Sequence, residues 1–160
     1  ESGRDEVTME RFDIVSLIRG VLQSMDIMIQ QKEAKVNFEV SDPVYVWADE
    51  FKIEEVVTNY TSNALNHLNG EKEIEIRVLP EDDRVRVTVF NTGIPIPEED
   101  IPKLWNKFYK VDKARTREYG GSGLGLSIVK AIMESLHQQY GVQNYDNGVE
   151  FWFTLDRKND

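Results

Sequence analysis

The chain has 160 residues, of which 40% are hydrophobic and 30% charged, and its formal net charge at pH 7 is −10. This length suits one globular domain with a single core, and the negative charge disfavours nucleic acid and anionic membranes as partners. The lack of cysteine excludes disulfides and cysteine-based zinc sites and fits a reducing cytosol. No run approaches the roughly 18 apolar residues that cross a bilayer. The charged start without an initiator methionine leads us to expect a piece of a longer protein.

The spacing of apolar residues divides the chain into three long helices and about six short strands. In chain order the predicted elements are a strand or extended segment over 7–12, a helix over 14–28, strands over 36–40 and 44–47, a helix over 50–68, strands over 74–79 and 85–90, a short helix over 98–105, a mobile loop over 107–122, a helix over 124–139, and strands over 142–145 and 149–155. Asp13 and Asp49 are the predicted caps of the first two long helices, and Asn69-Gly70 is the predicted end of the second. This order predicts an α/β fold, a two-layer sandwich in which a mixed sheet carries about three helices on one face.

A glycine-rich stretch, Gly120–Lys130, leads into the last long helix. Four glycines fall within residues 120–125, and glycine permits close approaches of the backbone that a Cβ would forbid. The first turn of a helix leaves N–H groups unpaired and favours negative charge, so the stretch is typical of a phosphate site. A flexible linker ahead of a core helix is the alternative. The spacing does not match a P-loop, and Leu126 stands where the dinucleotide fingerprint requires glycine.

A stripe of polar side chains follows one face of the helix after Asp49. Residues three or four apart share a face of a helix, and those in the stripe are Glu55, Asn59, Asn63, Asn66 and His67. A solvated outer face usually carries lysine, glutamate and arginine, whereas asparagine is a middling helix former, so the stripe favours a site. Amide oxygens are hard ligands that suit Mg²⁺ shared with phosphate oxygens.

Four sequence blocks then occur in a fixed order: Asn59–Ala64, Asn91–Pro95, Phe108-Tyr109 and Gly121–Leu126. With them the chain resembles the catalytic ATP-binding domain of the sensor histidine kinases of two-component systems. The wider superfamily includes the gyrase, mismatch-repair and heat-shock chaperone ATPases. The blocks are similar to its asparagine box, first glycine box, phenylalanine box and second glycine box. The resemblance runs from about Met9 to Leu155, so we expect residues 1–160 to form one such domain, with the phosphoacceptor, sensor and membrane regions elsewhere.

The resemblance implies a role for each block. Asn63 would bind Mg²⁺ with support from Asn59, and both would serve catalysis, while Asn91 would accept a hydrogen bond from the adenine amino group. The family commonly has lysine at Asn66, aspartate at Asn91 and a second glycine at Pro95. The nucleotide-binding residues expected in this way are Asn59, Asn63, Asn66, His67, Asn91, Gly93, Ile94, Phe108, Tyr109, Lys110, Arg115, Arg117, Gly121, Ser122, Gly123, Leu124, Gly125 and Leu126.

Residues 107–120 resemble the lid that closes over ATP in this family. Within 107–117 there are five lysine or arginine residues and one acid, Asp112, although a solvated loop is the ordinary explanation of such a run. By position, Phe108 and Tyr109 would anchor the lid. Lys110, Arg115 and Arg117 would compensate for the positive charge that is missing at position 66.

Position 59 distinguishes kinases from ATPases within the superfamily. ATPases such as gyrase carry a glutamate there that activates water, whereas the amide of Asn59 cannot take a proton at neutral pH. The resemblance therefore implies ATP and Mg²⁺ as cofactors and transfer of the γ-phosphoryl group to a histidine. That histidine would lie in an upstream dimerisation domain of the same protein, since no Ser-His-Glu-Leu-Arg type of motif occurs here, and relay to a response regulator would follow.

Two other functions stay open from the sequence. One is a serine kinase of the anti-sigma-factor type, and the other is a nucleotide-binding module without catalysis. For the histidine-kinase domain itself we expect a monomeric fragment that binds no nucleic acid. We also expect a cytoplasmic domain of a protein that resides in the cell membrane.

Overall fold

The computed structural model describes residues 6–109 and 125–159. Its strands are Glu10–Asp13 (β1), Lys35–Asn37 (β2), Tyr45–Ala48 (β3), Glu73–Pro80 (β4), Arg84–Thr92 (β5), Tyr140–Tyr145 (β6) and Gly148–Arg157 (β7). Its helices are Ile14–Ser24 (α1), Asp26–Gln31 (α2), Glu50–Asn66 (α3) and Gly125–Ser135 (α4), with a 3₁₀ helix over Glu98–Lys103.

The strands form one mixed sheet in the order β1-β3-β7-β5-β4-β2, and β6 pairs with β7. Only β2 and β4 run parallel among the described pairs. Alternate side chains face opposite sides of a strand, and on β4 Ile74 and Ile76 are buried whereas Glu73 and Arg77 are exposed. The helices cover the buried side, so the predicted two-layer α/β sandwich is confirmed.

The long helix α3 is fixed in place by a cap and by one buried tyrosine. Asp49 accepts a hydrogen bond from the Lys52 N–H at 3.1 Å, which satisfies one of the free donors of the first turn. Tyr60 is fully buried against Phe151 of β7, with ring centroids 5.3 Å apart. Its hydroxyl donates to the Trp152 carbonyl at 3.0 Å, and burial raises its pKa. The apolar side of α3 therefore faces the sheet, and the polar side is left for other contacts.

The first predicted helix, over 14–28, is wrong in its extent because the structure divides it at Met25. The Ser24 hydroxyl donates to the Val21 carbonyl at 2.8 Å, next to a Met25 N–H that bonds the same oxygen. Such side-chain bonds compete with the helical ladder and favour a helix end. The turn also changes which side chains face outward, so that Ile27 in α2 is 72% exposed.

The last long helix ends at Ser135, four residues before the predicted end at 139. His137 has a φ of +57°, its N–H bonds the Glu134 carbonyl, and the Gln138 N–H bonds the Met133 carbonyl. This pair of bonds is the Schellman motif, which normally uses glycine at the left-handed position. The helix therefore ends at Ser135, and a histidine takes the left-handed position where glycine is usual.

Three shorter differences concern element ends and type. The strand predicted over 36–40 is Lys35–Asn37, and the short helix predicted over 98–105 is the 3₁₀ helix Glu98–Lys103. Pro102 lies inside that helix and has no N–H to donate, which suits a short 3₁₀ turn better than an α-helix. The helix α3 ends at Asn66, and Gly70, predicted to cap it, lies in the following turn with a φ of +71°.

Candidate functional site

The polar stripe predicted on the second long helix lies on α3. Asn59, Asn63 and Asn66 are all half-buried and lie four and three residues apart, so they share one face of the helix. The amide of Asn59 donates to the Glu55 carbonyl at 2.9 Å, which fixes the side chain along its own helix. His67 follows as the residue that ends the helix, and its N–H bonds the Asn63 carbonyl at 3.1 Å.

The N-terminus of α4 lies against one end of this stripe. A Cβ built on Gly125 would lie 3.1 Å from Asn59 Oδ1, which is tighter than ordinary van der Waals contact. The next residue, Leu126, is half-buried and packs against the core. The start of α4 carries the positive end of the helix dipole, which favours negative charge beside Asn59. The end of the glycine-rich stretch therefore meets the start of the asparagine stripe.

The loop after β5 lies against the other end of the stripe. A Cβ on Gly93 would lie 2.7 Å from the His67 carbonyl oxygen, so only glycine fits there without a backbone shift. Asn91 is 2% exposed, and its Nδ2 donates to the Thr92 carbonyl at 3.0 Å and to the His67 carbonyl at 3.4 Å. Because both donor bonds go to carbonyls, Oδ1 is the atom of this side chain that remains to accept from a ligand.

Two asparagines that were not among the predicted site residues hold the same loop. The Gly93 N–H donates to the Asn147 carbonyl at 3.0 Å. Asn144 makes two bonds to Ile96, with Oδ1 accepting from the N–H at 3.0 Å and Nδ2 donating to the carbonyl at 2.8 Å. Between these anchors Ile94 is 59% exposed. Asparagine is depleted in strands, which is the one signal that marks Asn144 in β6.

The two aromatic residues of the phenylalanine box differ in their surroundings. Phe108 has a φ of +64° and is 66% exposed. The Tyr109 hydroxyl donates to the carboxylate of Asp100 in the 3₁₀ helix, and this hydrogen bond raises the pKa of Tyr109. Asp100 is a further residue that the sequence pattern did not indicate. The bond ties the start of the predicted lid to the preceding helix.

Several predicted contacts fall outside the described residues. These are Lys110, Arg115 and Arg117 of the predicted lid and Gly121, Ser122, Gly123 and Leu124 of the glycine-rich stretch. Their expected contacts with phosphate stay predictions from the sequence. Of the four boxes, the structure therefore places the asparagine box, the first glycine box and the end of the second glycine box around α3.

The donor set along α3 fits a magnesium ion shared with phosphate. Within 6–109 and 125–159, no group of three or more histidine, cysteine, aspartate or glutamate residues is placed to hold a metal. Mg²⁺ commonly takes one or two protein oxygens and completes its shell with water and phosphate, so a single amide such as that of Asn63 suits it.

None of the helices in the described part of the chain is long and apolar enough to cross a membrane.

Comparison with known families gives the class of protein that this fold and site define. Residues 48–159 match the family described as histidine kinase-, DNA gyrase B-, and HSP90-like ATPase. The chain belongs to this family.

Curated relatives narrow the class to sensor kinases. The chain is 34% identical over 150 residues to the sensor histidine kinase WalK of Bacillus subtilis (strain 168), a match that covers 90% of this chain and 24% of WalK. It is 36% identical over 129 residues to the sensor histidine kinase YkoH of the same strain, covering 81% of this chain and 28% of YkoH. The chain thus spans about a quarter of the length of these relatives.

Solved structures agree with the sequence relatives. The nucleotide-free catalytic domain of the histidine kinase ThkA superposes with a TM-score of 0.82 at 31% identity, covering 94% of this chain and 96% of that one. Full-length ShkA in complex with AMPPNP superposes with a TM-score of 0.80 at 25% identity, covering 96% of this chain and 32% of ShkA. ThkA in complex with the response regulator TrrA superposes with a TM-score of 0.78 at 28% identity, covering 95% of this chain and 42% of that one. The fold is that of histidine kinase catalytic domains, as the sequence predicted.

Proposed function

We propose that this chain binds Mg²⁺–ATP along α3 and supplies the phosphoryl-transfer half of a sensor histidine kinase. The observation that carries the proposal is that α3 contacts the N-terminus of α4 at Asn59 and the loop after β5 at His67. Asn59 and His67, which directly follows α3, are eight residues apart, which is about 12 Å at the helical rise of 1.5 Å per residue. One ligand that has a base at one end and phosphates at the other fits such a pair of contacts.

In this proposal the base lies at the His67 end of α3. Asn91 Oδ1 accepts a hydrogen bond from the exocyclic amino group of adenine, since the amide nitrogen of Asn91 already donates to two carbonyls. A buried acceptor distinguishes adenine from a base that lacks the amino group, because an unmatched buried polar atom costs binding energy. Gly93 leaves room beside it, and the exposed side chain of Ile94 borders the ligand.

The phosphates lie at the Asn59 end. The positive end of the α4 dipole attracts the phosphates, and the amide oxygen of Asn63 holds Mg²⁺. When bound, the metal neutralises charge on the phosphate oxygens. Asn59, whose amide nitrogen is bonded to the Glu55 carbonyl, has no basic group with which to activate water. The γ-phosphoryl group is thereby kept for a protein acceptor, while the lid residues Lys110, Arg115 and Arg117 contribute positive charge.

The acceptor in this proposal is a histidine of a separate dimerisation domain of the same protein. The complex of ThkA with its response regulator supports a response regulator as the next partner in the relay. The sensor kinases that resemble this chain are about three to four times its length, which leaves room for the acceptor domain and for sensor and membrane regions. The domain itself would lie in the cytoplasm and act as a monomer.

The proposal is tested by mixing the chain with Mg²⁺–ATP and the separately produced upstream domain. We expect phosphate on a histidine, recognised because it is lost in acid and kept in alkali. A matched upstream domain with the acceptor histidine replaced by glutamine should stay unlabelled. Acid-stable phosphoserine on a protein substrate would indicate the anti-sigma-factor type of kinase instead. Binding of ATP without transfer to the histidine domain would reduce the chain to a nucleotide-binding module.

A further inference from the structure

The loop between β5 and the 3₁₀ helix, residues 93–97, is held at both ends by one hairpin. Its first residue, Gly93, donates to Asn147 in the turn of the β6–β7 hairpin. Its fourth residue, Ile96, exchanges two hydrogen bonds with the side chain of Asn144 in β6, at 3.0 and 2.8 Å. Asn144 thus satisfies both backbone groups of a residue 48 positions away. A side-chain amide here does for Ile96 what a neighbouring strand does in a sheet.

The hairpin itself does not depend on the side chain of Asn144. Strand β6 is held to β7 by a backbone register of six pairs, from Tyr140 with Phe153 to Tyr145 with Gly148. Asn144 is half-buried and sits outside the hydrophobic core, so its truncation opens no cavity among core side chains. The bonds to Ile96 are therefore directed at the loop and are separable from the stability of the sheet.

We propose that Asn144 is a positioning residue that fixes the adenine-recognising loop in its binding conformation. The inference rests on the proposed function, because the loop follows Asn91 directly after β5 and supplies Gly93 and Ile94 to the proposed adenine contact. A loop that is ordered before the ligand arrives loses less conformational entropy on binding. Asn144 orders the segment beyond Ile94, and Asn147 orders the segment before it, so the ligand meets a fixed edge.

The same geometry predicts an effect on base selection. A fixed loop keeps the amino group of adenine aligned with Asn91. A loose loop can move to fit either base, so the affinities for adenine and guanine nucleotides become more similar. Loss of the Asn144 bonds is thus expected to weaken the binding of adenine nucleotides more than the binding of guanine nucleotides. If Asn144 had a purely structural role, its loss would lower thermal stability and reduce the affinities for both nucleotides equally.

The test compares Asn144→Ala, Asn144→Asp and the control Gln143→Ala, in an exposed neighbour whose side chain donates to the Asn144 backbone carbonyl at 3.1 Å and not to Ile96. Calorimetric titration with Mg²⁺–ADP and Mg²⁺–GDP gives both affinities, and hydrogen exchange reports the Ile96 N–H. For Asn144→Ala, we expect an ADP affinity about tenfold lower, the scale of two lost hydrogen bonds, with a smaller change for GDP and faster exchange at Ile96. Gln143→Ala should match the wild type.

Asn144→Asp keeps nearly the same shape and the acceptor for the Ile96 N–H, but it places a carboxylate oxygen opposite the Ile96 carbonyl. It should therefore weaken ADP binding as well, without a change in packing. Wild-type ADP affinity and base preference in both Asn144 variants would overturn the positioning role while leaving the proposed function intact. A wild-type chain that binds neither nucleotide would overturn the proposed function, and the positioning role with it.

Discussion

Gly125, the first residue of α4, lies so close to the side chain of Asn59 on α3 that a Cβ would come within 3.1 Å of its Oδ1. This contact brings the end of the glycine-rich stretch to the asparagine stripe. It also links two elements that are far apart in sequence, at the position where the phosphates of a nucleotide are proposed to lie. Its consequences can be separated from those of fold stability, because alanine is a better helix former than glycine.

Gly125→Ala is expected to weaken nucleotide binding without lowering the melting temperature. The added methyl group forces a shift of a few tenths of an ångström between α4 and Asn59, while the helix gains propensity. Gly20→Ala is the matched control, since Gly20 lies within α1 and a Cβ there has no neighbouring atom within 4 Å. That control should gain about 0.5–1 kcal/mol of stability and leave binding unchanged. Undiminished affinity in Gly125→Ala would mean that the contact does not position the phosphate site.

Asn59→Glu is expected to increase the slow release of phosphate from ATP. A carboxylate at this position supplies the base that the amide lacks, and general-base catalysis is worth about a hundredfold or more when the geometry is right. Asn59→Gln has the same length and cannot take a proton, so it controls for crowding against Gly125. Phosphate release is measured at saturating ATP. Equal rates in both variants would show that the side chain at 59 does not face the attacking water.

Asn63→Ala is expected to reduce the dependence of nucleotide binding on magnesium. The half-buried amide is the proposed protein ligand, and its removal leaves the apolar side of α3 untouched, so the fold should persist. Calorimetric titration with ADP in magnesium and in chelator measures the ratio of affinities. Thr58→Ala, on an exposed position of the same helix, is the control and should keep the wild-type ratio. A magnesium effect of wild-type size in Asn63→Ala would remove this residue from the metal site.

Much of the fold follows from local signals, and α3 is the clearest case. Asp49 satisfies a donor of the first turn, and the apolar spacing that follows faces the sheet, so both the start and the buried side of the helix were predictable. The end of α4 was not, because a histidine takes the left-handed position that usually calls for glycine. Tertiary packing can impose that conformation, but the local sequence does not predict it.

The candidate site divides in the same way. The asparagine stripe on α3 could be predicted from helix geometry. The glycines at 93 and 125 could be predicted because glycine permits close approaches of the backbone to other atoms. An asparagine within a strand marks Asn144 as unusual, but its role could not be predicted, since its partner Ile96 lies 48 residues away and is bonded through backbone atoms. Contacts of that kind depend on the folded arrangement of the strands.

Tyr140 predicts a difference in stability at high pH. Burial and a hydrogen bond from its hydroxyl to Glu134 at 3.0 Å raise its pKa from 10.0 to about 12. The folded form therefore keeps a proton that the unfolded chain has released, and the stabilisation is complete below about pH 10 and is lost as the pH rises toward about 12. Urea unfolding of the wild type and of Tyr140→Phe across this range measures it. Parallel pH profiles for the two proteins would show that Tyr140 makes no such contribution.

Nucleotide binding by the wild-type chain is measured most directly by calorimetric titration with ADP, in magnesium and in chelator. We expect a single site on each chain with higher affinity in magnesium, since the metal is shared between Asn63 and the phosphate oxygens. Absence of any binding heat at millimolar ADP in both conditions would contradict the assignment of α3 as a Mg²⁺–nucleotide site.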